Sequence, residues 1–185
     1  MKSCYWQLRK IGQLRKYLTE EAAECLIHAF ISSRLDNGNS LLFGLPDYQI
    51  ERLQRVHNTA ARILTRIQTF DHITPILAKL HWLPVKQRIV YKLMTLTFQC
   101  LHNLAPPYLS ELIVPYQPSR SLRSSDSHLL TVPKTKKKSY GDRAFKNAAP
   151  KLWNTMPLDI RQCESFYSFK SKLKQYLYKE SFKRK

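Results

Sequence analysis

The stretch from Asp47 to Ile67, DYQIERLQRVHNTAARILTRI, decides the fold class. At about 100° per residue, Leu53, Val56, Ala60, Ile63, Leu64 and Ile67 gather on one broad face. Arg52, Arg55, Arg62 and Arg66 gather on the other, within an arc of roughly 80° by the same stepping. This is the signature of an amphipathic helix beginning near Pro46-Asp47. Guanidinium groups suit bidentate phosphate contacts, so four arginines on one ridge suit a phosphate backbone. The plainer reading is a solvated face.

Working outward, residues from about Tyr5 to Leu18 form another amphipathic helix. A second starts after Thr19, an N-cap followed by Glu20 and Glu21 at the positive end of the helix dipole. It runs through Ala22, Leu26, Phe30 and Ile31 and weakens at the turn signal Asn37-Gly38. Downstream, Thr74-Pro75 caps a short helix to Leu80, and Pro84 opens a helix from Val85 to Leu101. There Val85, Ile89, Val90, Leu93, Met94, Leu96, Cys100 and Leu101 leave only a strip of Arg88, Lys92, Thr95, Gln99 and His102 polar. Such a helix belongs at the centre of a core.

Prolines at 106, 107, 115 and 118 then interrupt the pattern. Ser119 to Ser127 reads as a surface loop, and Leu129 to Val132 as one short strand. Lys134-Thr135-Lys136-Lys137-Lys138 reads as a hairpin tip returning through Tyr140. Helices over Arg143–Trp153 and Ser165–Ser181 complete a mainly α chain, a helical bundle with a small β-hairpin and a basic loop in its C-terminal third. The expected partition is 1–114, a helical domain; 115–139, the basic loop or hairpin; and 140–185, a helical extension.

Charge is the strongest compositional fact. The chain has 31 Lys+Arg against 13 Asp+Glu, a formal net charge of +18 over 185 residues. Gln117–Pro150 and Phe166–Lys185 each carry a net +6, so these two segments hold twelve of the eighteen excess charges. Clustered cations point to a polyanion, above all nucleic acid, because neutralising phosphates releases condensed counterions. Arg120, Arg123, Lys134, Lys136, Lys137, Lys138, Arg143 and Lys146 join the four arginines of the 47–67 helix as candidate contacts. The lysine run also reads as a nuclear localisation signal or a solvated loop. Tyr140, Phe145 and Trp153 are candidates for stacking on bases, although helical spacing favours a core role for each.

Other chemistries lack their residues. Cys4, Cys25, Cys100 and Cys163 are widely spaced with no CxxC pair, which argues against a disulfide framework or zinc ribbon. Cys100 and His102 lie about 200° apart on a helix and cannot share a metal. Apart from Glu20-Glu21 the acids are scattered singly, so no carboxylate cluster is set to hold catalytic cations. No GxSxG elbow is present. No metal, cofactor, small-molecule substrate or catalytic residue is therefore expected. No apolar run approaches the roughly 20 residues of a membrane span. The basic, acid-free first nineteen residues leave a transit peptide as an alternative, but Thr19-Glu20-Glu21 leads straight into a helix. An intracellular protein of the nucleus or cytoplasm is expected.

In order along the chain, several motifs resemble one family. They include Leu8-Arg9-Lys10-Ile11-Gly12, Leu18-Thr19-Glu20-Glu21, Ser33-Arg34-Leu35-Asp36 and Asn39-Ser40-Leu41-Leu42-Phe43-Gly44-Leu45-Pro46. They continue through Leu53-Gln54-Arg55-Val56-His57-Asn58-Thr59-Ala60-Ala61-Arg62, Asp71-His72-Ile73-Thr74-Pro75 and His81-Trp82-Leu83-Pro84-Val85-Lys86-Gln87-Arg88-Ile89. Cys100-Leu101-His102-Asn103-Leu104-Ala105-Pro106, Pro118-Ser119-Arg120-Ser121-Leu122-Arg123-Ser124, Tyr140-Gly141-Asp142-Arg143-Ala144-Phe145 and Ala149-Pro150-Lys151-Leu152-Trp153-Asn154 follow. Together they resemble the region downstream of the polymerase palm in non-LTR, LINE-type (jockey- or chicken-repeat-like) retrotransposon reverse transcriptases. Asn37-Gly38 departs from the family, which tends to carry an aromatic and a cysteine there.

The resemblance implies a thumb-like domain over 1–114 and a C-terminal extension, with the polymerase aspartates upstream of Met1. It also implies upstream polymerase domains as partners, with RNA or DNA as ligand. On this reading the chain is a non-catalytic, nucleic-acid-gripping fragment of an RNA-directed DNA polymerase. The alternatives are a host-adopted helical scaffold for a ribonucleoprotein, or an element remnant without selected function.

Overall fold

The apolar face of the 47–67 stretch is buried as its period requires. Helix α4 (Asp47–Thr65) buries Ile50, Val56, Ala60, Ala61 and Leu64. A computed structural model of the chain describes residues 1–68, 70–118, 127–135 and 138–183, and within these the protein is mainly α. It divides into two compact units, 1–89 with 178–185, and 90–177. The boundaries of these units fall inside two helices, α6 (Val85–Leu101) and α11 (Phe166–Phe182).

In the first unit, α1 (Lys2–Leu14) and α2 (Glu20–Ile27) both pack on α4. Cys4, Leu8 and Ile11 recur at helical spacing on the buried side of α1. They meet Ala23, Ile27 and Ile31, then Val56, Ala60, Ala61 and Leu64, with Leu77 and Trp82 closing the cluster. Each fully buried Leu or Ile contributes about 1.5–3 kcal/mol. Alanines at three of these positions keep the facing helices close. Thr19 caps α2 as expected, its hydroxyl accepting from the Ala22 N–H at 3.2 Å. After α2 the chain continues through a π-helical turn, His28–Ser32, into α3 (Ser33–Asp36). It then reverses at Gly38, whose φ of 62° is the left-handed conformation that favours glycine.

Several helix boundaries differ from expectation, two of them early in the chain. The Tyr5–Leu18 helix is α1 followed by a 3-10 turn, Arg15–Tyr17. The next short helix, α5 (Ile73–Lys79), starts at Ile73 after His72, so Thr74 is not its cap and Pro75 sits within the first turn. Proline costs no bond there, because the first N–H groups of a helix have no intrahelical acceptor. Pro84 opens α6 as expected, its carbonyl accepting from the Gln87 and Arg88 N–H groups.

In the second unit, Met94 and Phe98 of α6 are fully buried. Phe98 stacks on Phe169 at 4.4 Å, and Trp153 lies 5.8 Å from Phe169. Thr95, expected on the polar strip of α6, is buried instead. Its hydroxyl donates to the Tyr91 carbonyl at 2.7 Å, so burial leaves no orphan donor. The remaining helices are α7 (Pro107–Ser110), α8 (Lys138–Gly141), α9 (Phe145–Thr155) and α10 (Leu158–Arg161).

The expected β-hairpin is not seen among the described residues. Among the described residues β pairing is a single antiparallel bridge, Pro115 to Leu130. The Tyr116 N–H donates to the Leu129 carbonyl and the Thr131 N–H to the Val114 carbonyl, both at 2.9 Å. The 129–131 segment thus pairs upstream, with an apolar stretch, rather than with the lysine run. Its other edge is held by the Asn154 side chain, which accepts from the Leu130 N–H and donates to the Leu130 carbonyl, each at 2.9 Å. Lys138 belongs to a helical turn, not to a returning strand.

Candidate nucleic-acid interface

The arginines of α4 separate into two kinds. Arg52 and Arg55 are exposed and hold no acidic partner among the described residues. Arg62 is half-buried, and its Nη2 donates to the Asp71 carbonyl at 3.0 Å. Arg66 lies beyond the helix, because α4 stops at Thr65 and Arg66 adopts a left-handed φ of 56° as its C-cap. The expected ridge therefore loses its last member to helix termination. Arg66 instead donates through Nη2 to the Arg15 carbonyl at 2.8 Å.

Arg15 is a residue the sequence reading missed. It is only 8 % exposed. Its Nε and Nη2 donate to the Leu64 carbonyl at 3.1 and 2.8 Å, and its Nη1 donates to the Leu18 carbonyl at 2.8 Å. A cation on last-turn carbonyls satisfies acceptors that a helix leaves open and complements the negative end of its dipole. The signal for it was present: Arg15 follows Cys4, Leu8 and Ile11 at the same helical spacing, a charge on the apolar face of α1. Around this clasp lie two adjoining hollows. One, of about 320 Å³, is lined by Gly12, Arg15, Lys16, Ile63 and Arg66. The other, of about 400 Å³, also borders Lys79 and Glu20.

The remaining candidates belong to the second unit or lie outside the described residues. Arg120, Arg123, Lys136 and Lys137 are outside them, as is nearly all of the expected 119–127 loop. Lys134 and Lys146 are exposed and Arg143 is half-buried; for Lys138 only its place in the α8 backbone is described. The base of the lysine run is tied down. Thr135 Oγ1 donates to Asp142 Oδ1 at 3.1 Å, and Lys151 Nζ donates to the same oxygen at 2.8 Å. A Cβ at Gly141 would stand 2.9 Å from the Thr135 Cβ, so the Gly141-Asp142 pair lets this segment close against α8. Of the candidate stacking aromatics, Tyr140 is exposed, Phe145 is half-buried and Trp153 is core. Trp153 Nε1 donates to the His128 carbonyl at 2.8 Å.

The histidines do structural work. His57 is fully buried, with its ring 5.2 Å from Trp82, and neither ring nitrogen has a hydrogen-bond partner among the described residues. Burial pushes its pKa down to about 4; Arg88 and His28 add to the lowering and Asp36 opposes it. His81 ends α5 with a φ of 54° and packs its ring 5.5 Å from Tyr178. Among the described residues no three His, Cys, Asp or Glu gather as a metal site, and no helix is long and apolar enough to cross a membrane. No family model matches the chain, and neither a curated protein nor a solved structure matches it.

Proposed function

We propose that this chain is a non-catalytic nucleic-acid-binding module, the thumb-like and C-terminal part of a LINE-type reverse transcriptase, gripping template RNA or target DNA. The observation that carries the reading is the pair Arg52 and Arg55, exposed in the N-terminal half of a long helix in a chain of net charge +18. Two guanidinium groups on a rigid element present fixed forks to successive phosphates. Arg62 and Arg66 each have one nitrogen bound to a backbone carbonyl, which ties them to the end of that helix.

Phosphate contacts of this kind bind by counterion release, so affinity should fall linearly with salt on logarithmic axes. Filter binding of the full chain to duplex and single-stranded RNA across a KCl series tests this. The paired substitution Arg52→Gln, Arg55→Gln should lower affinity for all sequences alike and reduce the salt slope by about 2. Affinity indifferent to salt would sink the proposal. Robust primer extension by the purified chain would refute its non-catalytic part.

A further inference from the structure

We infer that the outer face of α1 and the 3-10 turn after it form a docking strip for a single-stranded nucleic acid, with Trp6 and Tyr17 as its base-stacking platforms. The inference rests on the nucleic-acid reading above and names a ligand form and a surface outside the arginine ridge. With Cys4, Leu8, Ile11 and Arg15 turned into the unit, α1 leaves Trp6, Arg9, Lys10 and Gln13 exposed, and the 3-10 turn leaves Lys16 and Tyr17 exposed. Trp6 is 58 % and Tyr17 75 % exposed. Rings this bare leave flat apolar surface on which a base can stack.

Each ring has its own cation. Lys10 Nζ lies 5.7 Å from the Trp6 ring centre, and Lys16 Nζ lies 4.7 Å from that of Tyr17. Beside the first pair is a hollow of about 240 Å³ bounded by Trp6, Arg9, Lys10 and Gln13. The first acidic residue of the chain is Glu20, so the strip is cationic along its whole length. Alternating rings and cations match a strand whose bases are free to stack while its phosphates are neutralised. A duplex does not fit, because its base faces are already stacked on one another. Helical rise sets Trp6 and Tyr17 roughly 17 Å apart along the chain. At about 3.4 Å per nucleotide that is room for about five nucleotides, fewer if the strand is stretched.

Tryptophan emission from the full chain tests the strip, because Trp82 and Trp153 are buried and Trp6 is the accessible fluorophore. Titration with a short oligothymidylate should quench that emission, and a duplex of the same length should not. Trp6→Ala should abolish the quench and weaken oligothymidylate binding, read by anisotropy of a labelled strand, about tenfold. Its affinity for the duplex should stay within about twofold of the parent, the single-strand loss being specific to stacking. Lys10→Gln, which keeps the ring, should reduce the single-strand salt slope by about 1. Salt-dependent binding that persists while Trp6→Ala leaves single-strand affinity unchanged would overturn the strip and leave the functional reading standing. Quenching by polyglutamate as strong as by the oligonucleotide would also overturn it, assigning the face to an acidic protein. No binding of either nucleic acid by the parent chain would remove both.

Discussion

His57 and Arg15 are both buried polar side chains, yet physical chemistry treats them in opposite ways. Arg15 has three of its donors on carbonyls. His57 has no such partners and is held neutral. Its folded pKa, about 4, lies below the ordinary 6.5. Between those values the unfolded chain binds the extra proton, so stability is at its full value above pH 6.5 and falls as pH drops toward 4. The whole span is worth on the order of 3 kcal/mol, and roughly 2 kcal/mol is lost by pH 5. Melting followed by circular dichroism should therefore show a fall of several degrees from pH 7 to pH 5, and His57→Leu should flatten that slope. Equal melting temperatures for the parent at both pH values would count against a neutral buried His57. Neither role was read from the sequence. Periodicity marks which positions face inward, but whether a polar side chain there finds acceptors depends on where α4 ends, a tertiary fact.

At the scale of elements, the helices were legible because their apolar positions recur with one period over many residues. That repetition carries α4, α6 and α11 from pattern to structure with boundary errors of one or two residues. The hairpin was misread for a different reason. Alternation over Leu129 to Val132 says only that a strand-like segment exists, and its partner is chosen by distant groups. Pro115 and Asn154 supply that partner, and nothing local to the lysine run announces them. Asn154 in effect replaces a neighbouring strand. Removing its amide should leave both Leu130 backbone groups without their partner, at about 1–2 kcal/mol. Asn154→Ala should lower the urea midpoint with an unchanged slope and speed amide exchange at Leu130. An unaltered midpoint would show that the segment is held by the bridge to Pro115 alone. Of the candidate site, the exposed Arg52 and Arg55 were readable from helix geometry, whereas the diversion of Arg62 and Arg66 to carbonyls followed from the stop at Thr65.

For the whole molecule, thirteen acids cannot neutralise thirty-one bases, so the chain keeps a large excess of positive charge. Local ion pairs such as Arg88 with Asp36 and Lys86 with Asp47 relieve a small part of this. Self-repulsion weakens a compact state, and salt screens it between charges more than about 8 Å apart at physiological ionic strength. Added KCl should therefore raise the melting temperature of the free chain over the same range in which the proposed nucleic-acid binding should weaken. A melting temperature that falls with KCl would mean that the cations are internally balanced.

The first unit also has an unusual calendar. Its core includes Phe182, and Tyr178 donates its hydroxyl to the Ala78 carbonyl at 2.9 Å, so it closes with residues that follow the entire second unit. At a synthesis rate of about 5–20 residues per second, the sequence between Ile89 and Tyr178 takes roughly 4–18 s to make. Throughout that interval the ribosome carries a helical bundle that has its basic surface but lacks its final piece. Cationic side chains are thus displayed before the unit that bears them is finished.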